Sequence, residues 1–323
     1  MRFFGDKKPV SAKTVSELRA FEKRFLTIFD RAEPNITSPS VAAIKAGGKR
    51  LRPALAIICA GLGDRYDHEK MFSSCAAVEL VHLASLIHDD VLDDSATRRG
   101  VSTISADYGA ERAINIGNYL FGLSFQLLAD QNDSKLIGYL ARASIYLSEG
   151  ELQQKQVLRR LDQSIDDYLT RIYTKTAALF EASCLMGASI GGLPDSYNKY
   201  LQEYARSLGM AFQIYDDILD FTGDARALGK PTGSDIREGT ITLPMIFALQ
   251  RDGKELIRAI RDPDQDNIKE AVDAVIECGA IEEATKVAKG YVDTAGREVN
   301  KLPECPARKD LVSLGNFVID RYH

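Results

Sequence analysis

The sequence predicts an all-α fold, and the spacing of its breakers is the reason. Ten prolines occur in 323 residues, yet none lies between Pro53 and Pro194. Across that gap apolar residues recur at helical spacing, and no valine- and threonine-rich alternation bounded by turns marks a strand. Helices are expected near 13–32, 38–47, 53–62, 68–94, 107–130, 133–160, 164–190, 195–222, 241–251, 264–278, 280–300 and 307–321. They are parted by Gly47-Gly48, Asp64, Arg99-Gly100, Asp130–Asp133, Gly191–Pro194 and the stretch Thr222 to Gly239. Pro53 suits the opening turn of a helix. No low-complexity linker divides the chain, so residues 1–323 are expected to form a single domain, with 1–12 a flexible N-terminal tail. The architecture expected is one large antiparallel helix bundle.

Composition narrows the function. A net charge of −5 gives no reason to expect nucleic acid as a partner. The five cysteines, at 59, 75, 184, 278 and 305, form no Cys-x-x-Cys pair. That argues against structural zinc and a disulfide framework and suits a reducing, cytoplasmic setting. The N-terminus lacks the apolar core of a signal peptide, and no apolar run reaches transmembrane length. A soluble protein without an integral membrane segment is expected.

Two stretches carry the chemistry, Leu86-Ile-His-Asp-Asp-Val-Leu-Asp-Asp94 and Phe212-Gln-Ile-Tyr-Asp-Asp-Ile-Leu-Asp220. Each places Ile-x-Asp-Asp-x-x-Asp in an apolar helical run. Residues four apart share a helix face, so Asp89 and Asp93 stack with Asp90 on the shoulder, and Asp216, Asp217 and Asp220 repeat the pattern. A single such motif reads as a solvated acidic helix end. Two of one pattern, both flanked by apolar sequence, call for a cation, because crowded carboxylates repel and burial raises the cost. Hard divalent ions take oxygen ligands, and Mg²⁺ favours phosphate oxygens. Two such clusters therefore describe a clamp for a diphosphate. Neither has the alternating ligands and central glycine of a calcium loop.

Basic elements accompany them. Gly47-Gly-Lys-Arg-Leu-Arg-Pro53 brings Lys49 and Arg52 to a helix start, which suits a diphosphate, although a solvated basic turn fits equally well. Arg98-Arg99-Gly100 follows the first acidic motif by about one turn. Lys175-Thr176 sits in an apolar stripe where a cation needs a partner, unless it snorkels to the surface. Lys230 lies in a turn after the second motif. His82 lies seven residues before Asp89, and a satisfied core histidine explains it as well as a ligand does.

Taken together, these motifs resemble the trans-isoprenyl diphosphate synthases, or polyprenyl synthetases. The resemblance covers roughly residues 40 to 250 and rests on Gly48–Pro53, Asp89–Asp93 with Arg98-Arg99-Gly100, Lys175-Thr176, Gln213–Asp220, and Gly229–Asp235 with Thr242–Pro244. It implies the isoprenoid synthase fold, helices around a central cavity, and a homodimer. It also implies that Asp89, Asp93 and Asp216 ligate three Mg²⁺ ions in complex with the allylic diphosphate, with Asp90, Asp217 and Asp220 in support. Arg98, Lys175 and Lys230 would hold the allylic diphosphate. Lys49, Arg52, His82 and Arg99 would bind isopentenyl diphosphate, and Thr176 and Gln213 would face the allylic cation. Two positions depart from the pattern: many relatives carry lysine where this chain has Thr240, and aspartate where it has Asn118.

The implied reaction is ionisation of an allylic diphosphate, attack by the isopentenyl double bond, and loss of a proton to the released diphosphate. Product length follows from helix geometry. A tail running down the helix from Asp89 passes Ala84 and Ser85, then Val81, then Ala77 and Val78, at about 5.4 Å per turn. None is aromatic, whereas short-chain relatives carry Phe or Tyr at the positions of Ala84 or Ser85, so a long-chain all-trans polyprenyl diphosphate is expected. A floor further down is expected from Ile145 or Tyr146. The competing readings are a synthase of shorter products (geranylgeranyl or farnesylgeranyl diphosphate), a terpene cyclase, and a subunit of a heteromeric synthase, catalytic with a helper protein or regulatory. Lys49, Arg52, His82 and Arg99 disfavour the cyclase, and the two intact acidic motifs disfavour the regulatory subunit.

Overall fold

The computed structural model describes residues 10–223 and 232–320, with backbone only for 318–320. It is helical almost throughout. In chain order the helices are α1 (Ala12–Phe25), α2 (Pro34–Lys45), α3 (Leu51–Ala60), α4 (His68–Leu92), α5 (Ile104–Tyr108), α6 (Ala110–Ala129), α7 (Ser134–Gln156), α8 (Ile165–Ile172), α9 (Ala178–Gly191), α10 (Asn198–Thr222), α11 (Ser234–Glu238), α12 (Leu243–Leu249), α13 (Lys254–Arg261), α14 (Gln265–Glu277), α15 (Ala280–Val299) and α16 (Pro306–Asp320). A π-helical turn, Tyr173–Ala177, interrupts α8–α9, where the spacing predicts one continuous helix. Thr97–Arg98 and Val101–Ser102 pair as a two-residue antiparallel hairpin. The sequence does not predict this hairpin, nor the short helices α11 and α13.

Caps explain several boundaries. The Asp67 carboxylate accepts from the Glu69 and Lys70 amides and starts α4, while Ser164 and Asp167 form a reciprocal capping box on α8. Ser11 caps α1, and its amide and hydroxyl, with the Thr14 hydroxyl, all donate to the buried Asp310 carboxylate on α16. The tail expected over 1–12 is thus fixed at its end, because Val10 is buried, Ser11 is bonded and Ala12 is helical. Helix α3 begins two residues before Pro53, whose missing N–H is among those that have no intrahelical partner anyway.

The chain divides into two compact units: Met1–Ser144 with Leu179–Gln202 and Val299–Leu314, and Ile145–Ala178 with Glu203–Glu298 and Gly315–His323. In the first, α4 packs chiefly on α6 and α3, and α1 on α3. Helix α3 is buried at nearly every position from Leu51 to Ala60. In the second, α13 pairs with α14, tied by Arg258 to Glu270. Helix α4 is long and apolar enough, by length and composition, to cross a membrane, with most of that stretch buried inside the protein. Ser73, Ser74, Glu79 and His82 break it into short runs, which is why no single apolar run reaches that length.

Candidate functional site

Both acidic motifs end a helix of 25 residues, α4 and α10. The C-terminal end of a helix carries the negative pole of its dipole, so carboxylates there are less stable than elsewhere. This increases the demand for a cation. Asp93 is the residue that caps α4, and its amide still donates to the Asp89 carbonyl at 2.9 Å, preserving the four-residue relation. Asp89 is half-buried and Asp93 exposed. Asp90 is buried and accepts from Arg98 Nε at 2.7 Å. Burial raises the Asp90 pKa, with Arg98 opposing the shift.

Arg98 and Arg99 stand on the hairpin, not on a continuation of α4. Arg99 (φ 54°) and Gly100 (φ 77°) make its two-residue turn, a geometry that normally selects Asn, Asp or Gly. A non-glycine residue held in the left-handed region is the kind of local strain that clusters at functional sites.

The basic turn and α4 build one cationic cluster in the first unit. Lys49 is exposed. Arg50, at φ 50° before α3, is buried and bonds Glu22, Glu79 (2.9 Å) and the Ile44 carbonyl (3.4 Å). Arg52 lies over the Phe180 ring at 5.2 Å, and its Nε is buried without a protein partner. Burial, resisted by Glu79 and reinforced by Arg99, lowers its pKa to about 10. Gly48 leaves the space this needs: a Cβ there would stand 2.8 Å from Arg50 Nη1 and 3.5 Å from Arg99 Nη1. Half-buried His82 has its pKa pushed well below the usual value by desolvation and by Arg52, Arg99, Arg98 and Arg50. It is neutral at pH 7 and offers one N–H to an anion.

In the second unit the π-helical turn carries Lys175 and Thr176. π-turns widen a helix locally and are frequent at functional sites. Lys175 Nζ bonds Glu151 and Gln154 (3.1 Å), so it does not snorkel to the surface. Thr176 donates to Gln213 Oε1 at 2.7 Å, Gln213 Nε2 donates to Asp217 at 2.8 Å, and Tyr168 donates to the other Asp217 oxygen at 2.7 Å. Burial raises the Asp217 pKa to about 6, with Tyr168, Gln213 and Arg171 opposing and Asp216 adding to the shift. Asp220 is buried and accepts from the Ser234 hydroxyl and the Asp235 amide (3.0 Å). Lys230 lies outside the described residues. Thr240 is half-buried and Asn118 exposed.

Among the described residues no three His, Cys, Asp or Glu side chains form a ready metal cage. Mg²⁺ keeps several waters and takes one or two carboxylates plus substrate phosphate oxygens. The all-oxygen character of both motifs fits that ion.

Of the chain-length residues, Val81 and Ala84 are fully buried and Ser85 half-buried, its hydroxyl donating to the His82 carbonyl at 2.8 Å. Ile145 is exposed and Tyr146 lies edge-on to Tyr173 at 5.6 Å. Arg50, Glu79, Tyr168 and Glu151 escape a motif-based reading. Glu79 had a signal: it is the one acid between Glu69 and Asp89 in an apolar helix.

An all-α fold, two Asp-rich helix ends and a cluster of cations suit an enzyme that handles diphosphates. The family profile described as Polyprenyl synthetase matches residues 33–277. The heptaprenyl diphosphate synthase component 2 of Geobacillus stearothermophilus is 39% identical over 85% of this chain and 86% of its own length. A short chain isoprenyl diphosphate synthase of Methanothermobacter thermautotrophicus is 36% identical over 92% and 94%. A crystal structure of polyprenyl synthase from Caulobacter crescentus, complexed with calcium and isoprenyl diphosphate, superposes with TM-score 0.91 at 32% identity, covering 98% of this chain and 100% of that one. The chain belongs to the polyprenyl synthetase family and is a trans-prenyl diphosphate synthase, a transferase of prenyl groups acting on prenyl diphosphates.

Proposed function

We propose that this enzyme extends an allylic diphosphate with isopentenyl diphosphate to a long-chain all-trans product, and that the cluster around Arg52 binds the isopentenyl diphosphate. The observation that carries this is the buried, partnerless Arg52 Nε beside Arg99 and neutral His82. Such donors gain most from an anion that reaches them. Exposed Lys49 adds a third cation. Isopentenyl diphosphate held there presents its double bond while its diphosphate stays bonded.

The allylic diphosphate belongs with Asp89, Asp93 and Asp216, helped by Arg98, Lys175 and Lys230, with Asp90, Asp217 and Asp220 holding the neighbouring groups in place. Bound Mg²⁺, three ions in the reading adopted, would neutralise charge growing on the leaving diphosphate. Arg98 and Lys175 supply fixed positive charge to the same end. Thr176 and Gln213 turn oxygen atoms toward the allylic cation, their mutual bond and Asp217 fixing their orientation. The released diphosphate takes the proton, and apolar walls keep water from quenching the cation.

Long product length is supported by the absence of an aromatic side chain at Ser85, one turn below Asp89 on its face of α4, and at Val81 a turn further down. A second reading, a shorter product, is favoured by the 36% identity to the short chain synthase. A homodimer in one domain fold, located in the cytoplasm, completes the proposal. The printed name "component 2" of the Geobacillus relative favours a helper subunit as the alternative assembly. The test is to assay the purified chain with isopentenyl diphosphate, several allylic primers and Mg²⁺, and to size the products. Chain growth beyond geranylgeranyl length, abolished by a chelator, is expected; turnover that survives chelation, or none without a second protein, overturns the corresponding part.

A further inference from the structure

Glu79 sits in the middle of α4 and is buried, 7% exposed. It bonds Arg50 Nη1 at 2.9 Å, and Arg50 is already paired with Glu22. Arg50 therefore has two carboxylates, while Arg52 and Arg99, the cations left for substrate, share the field of Glu79, to which Asp90 adds at Arg99. Arg99 Nη1 comes as close as 3.5 Å to the position a Gly48 Cβ would take, on the same side as Arg50 Nη1. The placement is costly, since desolvation, Arg98 and Arg50 disfavour the charged form of Arg99, while Glu79 and, to a smaller extent, Asp90 favour it. The same carboxylate favours the charged form of Arg52. Arg99 stands on a hairpin of two-residue strands, which by itself has little resistance to swinging outward.

We infer that Glu79, held by Arg50, is a positioning residue that keeps Arg52 and Arg99 gathered at the isopentenyl diphosphate site before substrate arrives. It rests on the reading of that cluster given above. Glu79 touches no substrate. Arg99 is exposed already; with the Glu79 charge removed, mutual repulsion swings it away from Arg52, and isopentenyl diphosphate must then draw it back at the expense of its own affinity. Glu22 also bonds Arg50 but is not among the chief charges acting on Arg99 or Arg52.

Steady-state kinetics on the full chain, with E79Q, E22Q, R99M and the E79Q/R99M double variant, tests this. E79Q is expected to raise the KM for isopentenyl diphosphate about tenfold, with kcat and the allylic KM within twofold of the parent. E22Q is expected to leave all three within twofold. In the R99M background, E79Q is expected to add less than threefold, because its effect runs through Arg99 and Arg52. If R99M itself leaves that KM unchanged, the assignment of the site fails. If R99M raises it but E79Q does not, or E79Q and E22Q raise it alike, or E79Q lowers kcat as much as it raises KM, the role given to Glu79 fails. Should E79Q not fold, E79D keeps the charge at shorter reach. It is expected to fold and to raise the KM less than threefold, and a tenfold rise with intact folding overturns the proposal.

Discussion

His82 shows how a residue's chemistry is set by its neighbours. Its sequence context fits a core histidine and an anion ligand equally, and in the folded chain desolvation together with the surrounding arginines keeps the ring neutral. The sign for stability follows. The folded pKa lies below the unfolded value, so the folded state binds fewer protons once pH falls below about 6.5. Stability is therefore lost as pH drops through that value toward the folded pKa. Replacing His82 with Asn removes this contribution, so the fall in Tm between pH 7.5 and 5.5 is expected to be smaller in the variant than in the parent. An equal fall in both would contradict the assignment. The acidic motifs give a second prediction at this scale. D89N and D216N are each expected to lower kcat/KM on the order of 10²-fold or more, because each weakens stabilisation of a departing diphosphate. Far-UV circular dichroism would check that both variants remain helical.

At the scale of elements, α4 places three residues of the proposed site on one face. At about 100° per residue, His82, Ser85 and Asp89 fall within about 60° of one another, whereas Ala84 lies about 140° from Asp89. Their exposure agrees, since Ala84 is fully buried and Ser85 half-buried. Of the two chain-length positions, S85F is therefore expected to shorten the product more than A84F, which mainly overpacks the core at about 1–3 kcal/mol. Radiolabelled products sized by chromatography would show it, and an unchanged distribution in both variants would remove the helix as a ruler. The π-helical turn offers another test. Gly150 on α7 leaves room for it, since a Cβ there would meet Thr174 Oγ1 at 2.4 Å and Lys175 Cγ at 3.0 Å. G150A is expected to cost roughly 1–3 kcal/mol and to lower kcat by displacing Lys175 from its bonds to Glu151 and Gln154. A normal kcat in a correctly folded G150A would separate that turn from the chemistry.

At the scale of the whole molecule, each compact unit is assembled from segments far apart in the chain. The Asp310 carboxylate, taking three hydrogen bonds from Ser11 and Thr14, closes the first unit across nearly 300 positions. D310A would leave those donors without their acceptor, and a loss of roughly 2–3 kcal/mol is expected, read as a lower urea midpoint with an unchanged slope. Activity measured well below that midpoint should match the parent, since this latch holds no substrate.

Periodicity and breakers made the all-α class and most helix boundaries legible, because an amphipathic stripe and a missing N–H act locally whatever surrounds them. The two Asp motifs were legible for the same reason: four-residue spacing fixes a shared helix face. Tertiary structure decided the hairpin under Arg98 and Arg99, the π-helical turn at Lys175, and the sorting of cations into Arg50, fully paired, and Arg52, left open. Those outcomes depend on which charges from distant segments are buried together, and electrostatic balance in a buried cluster has no signature along the chain.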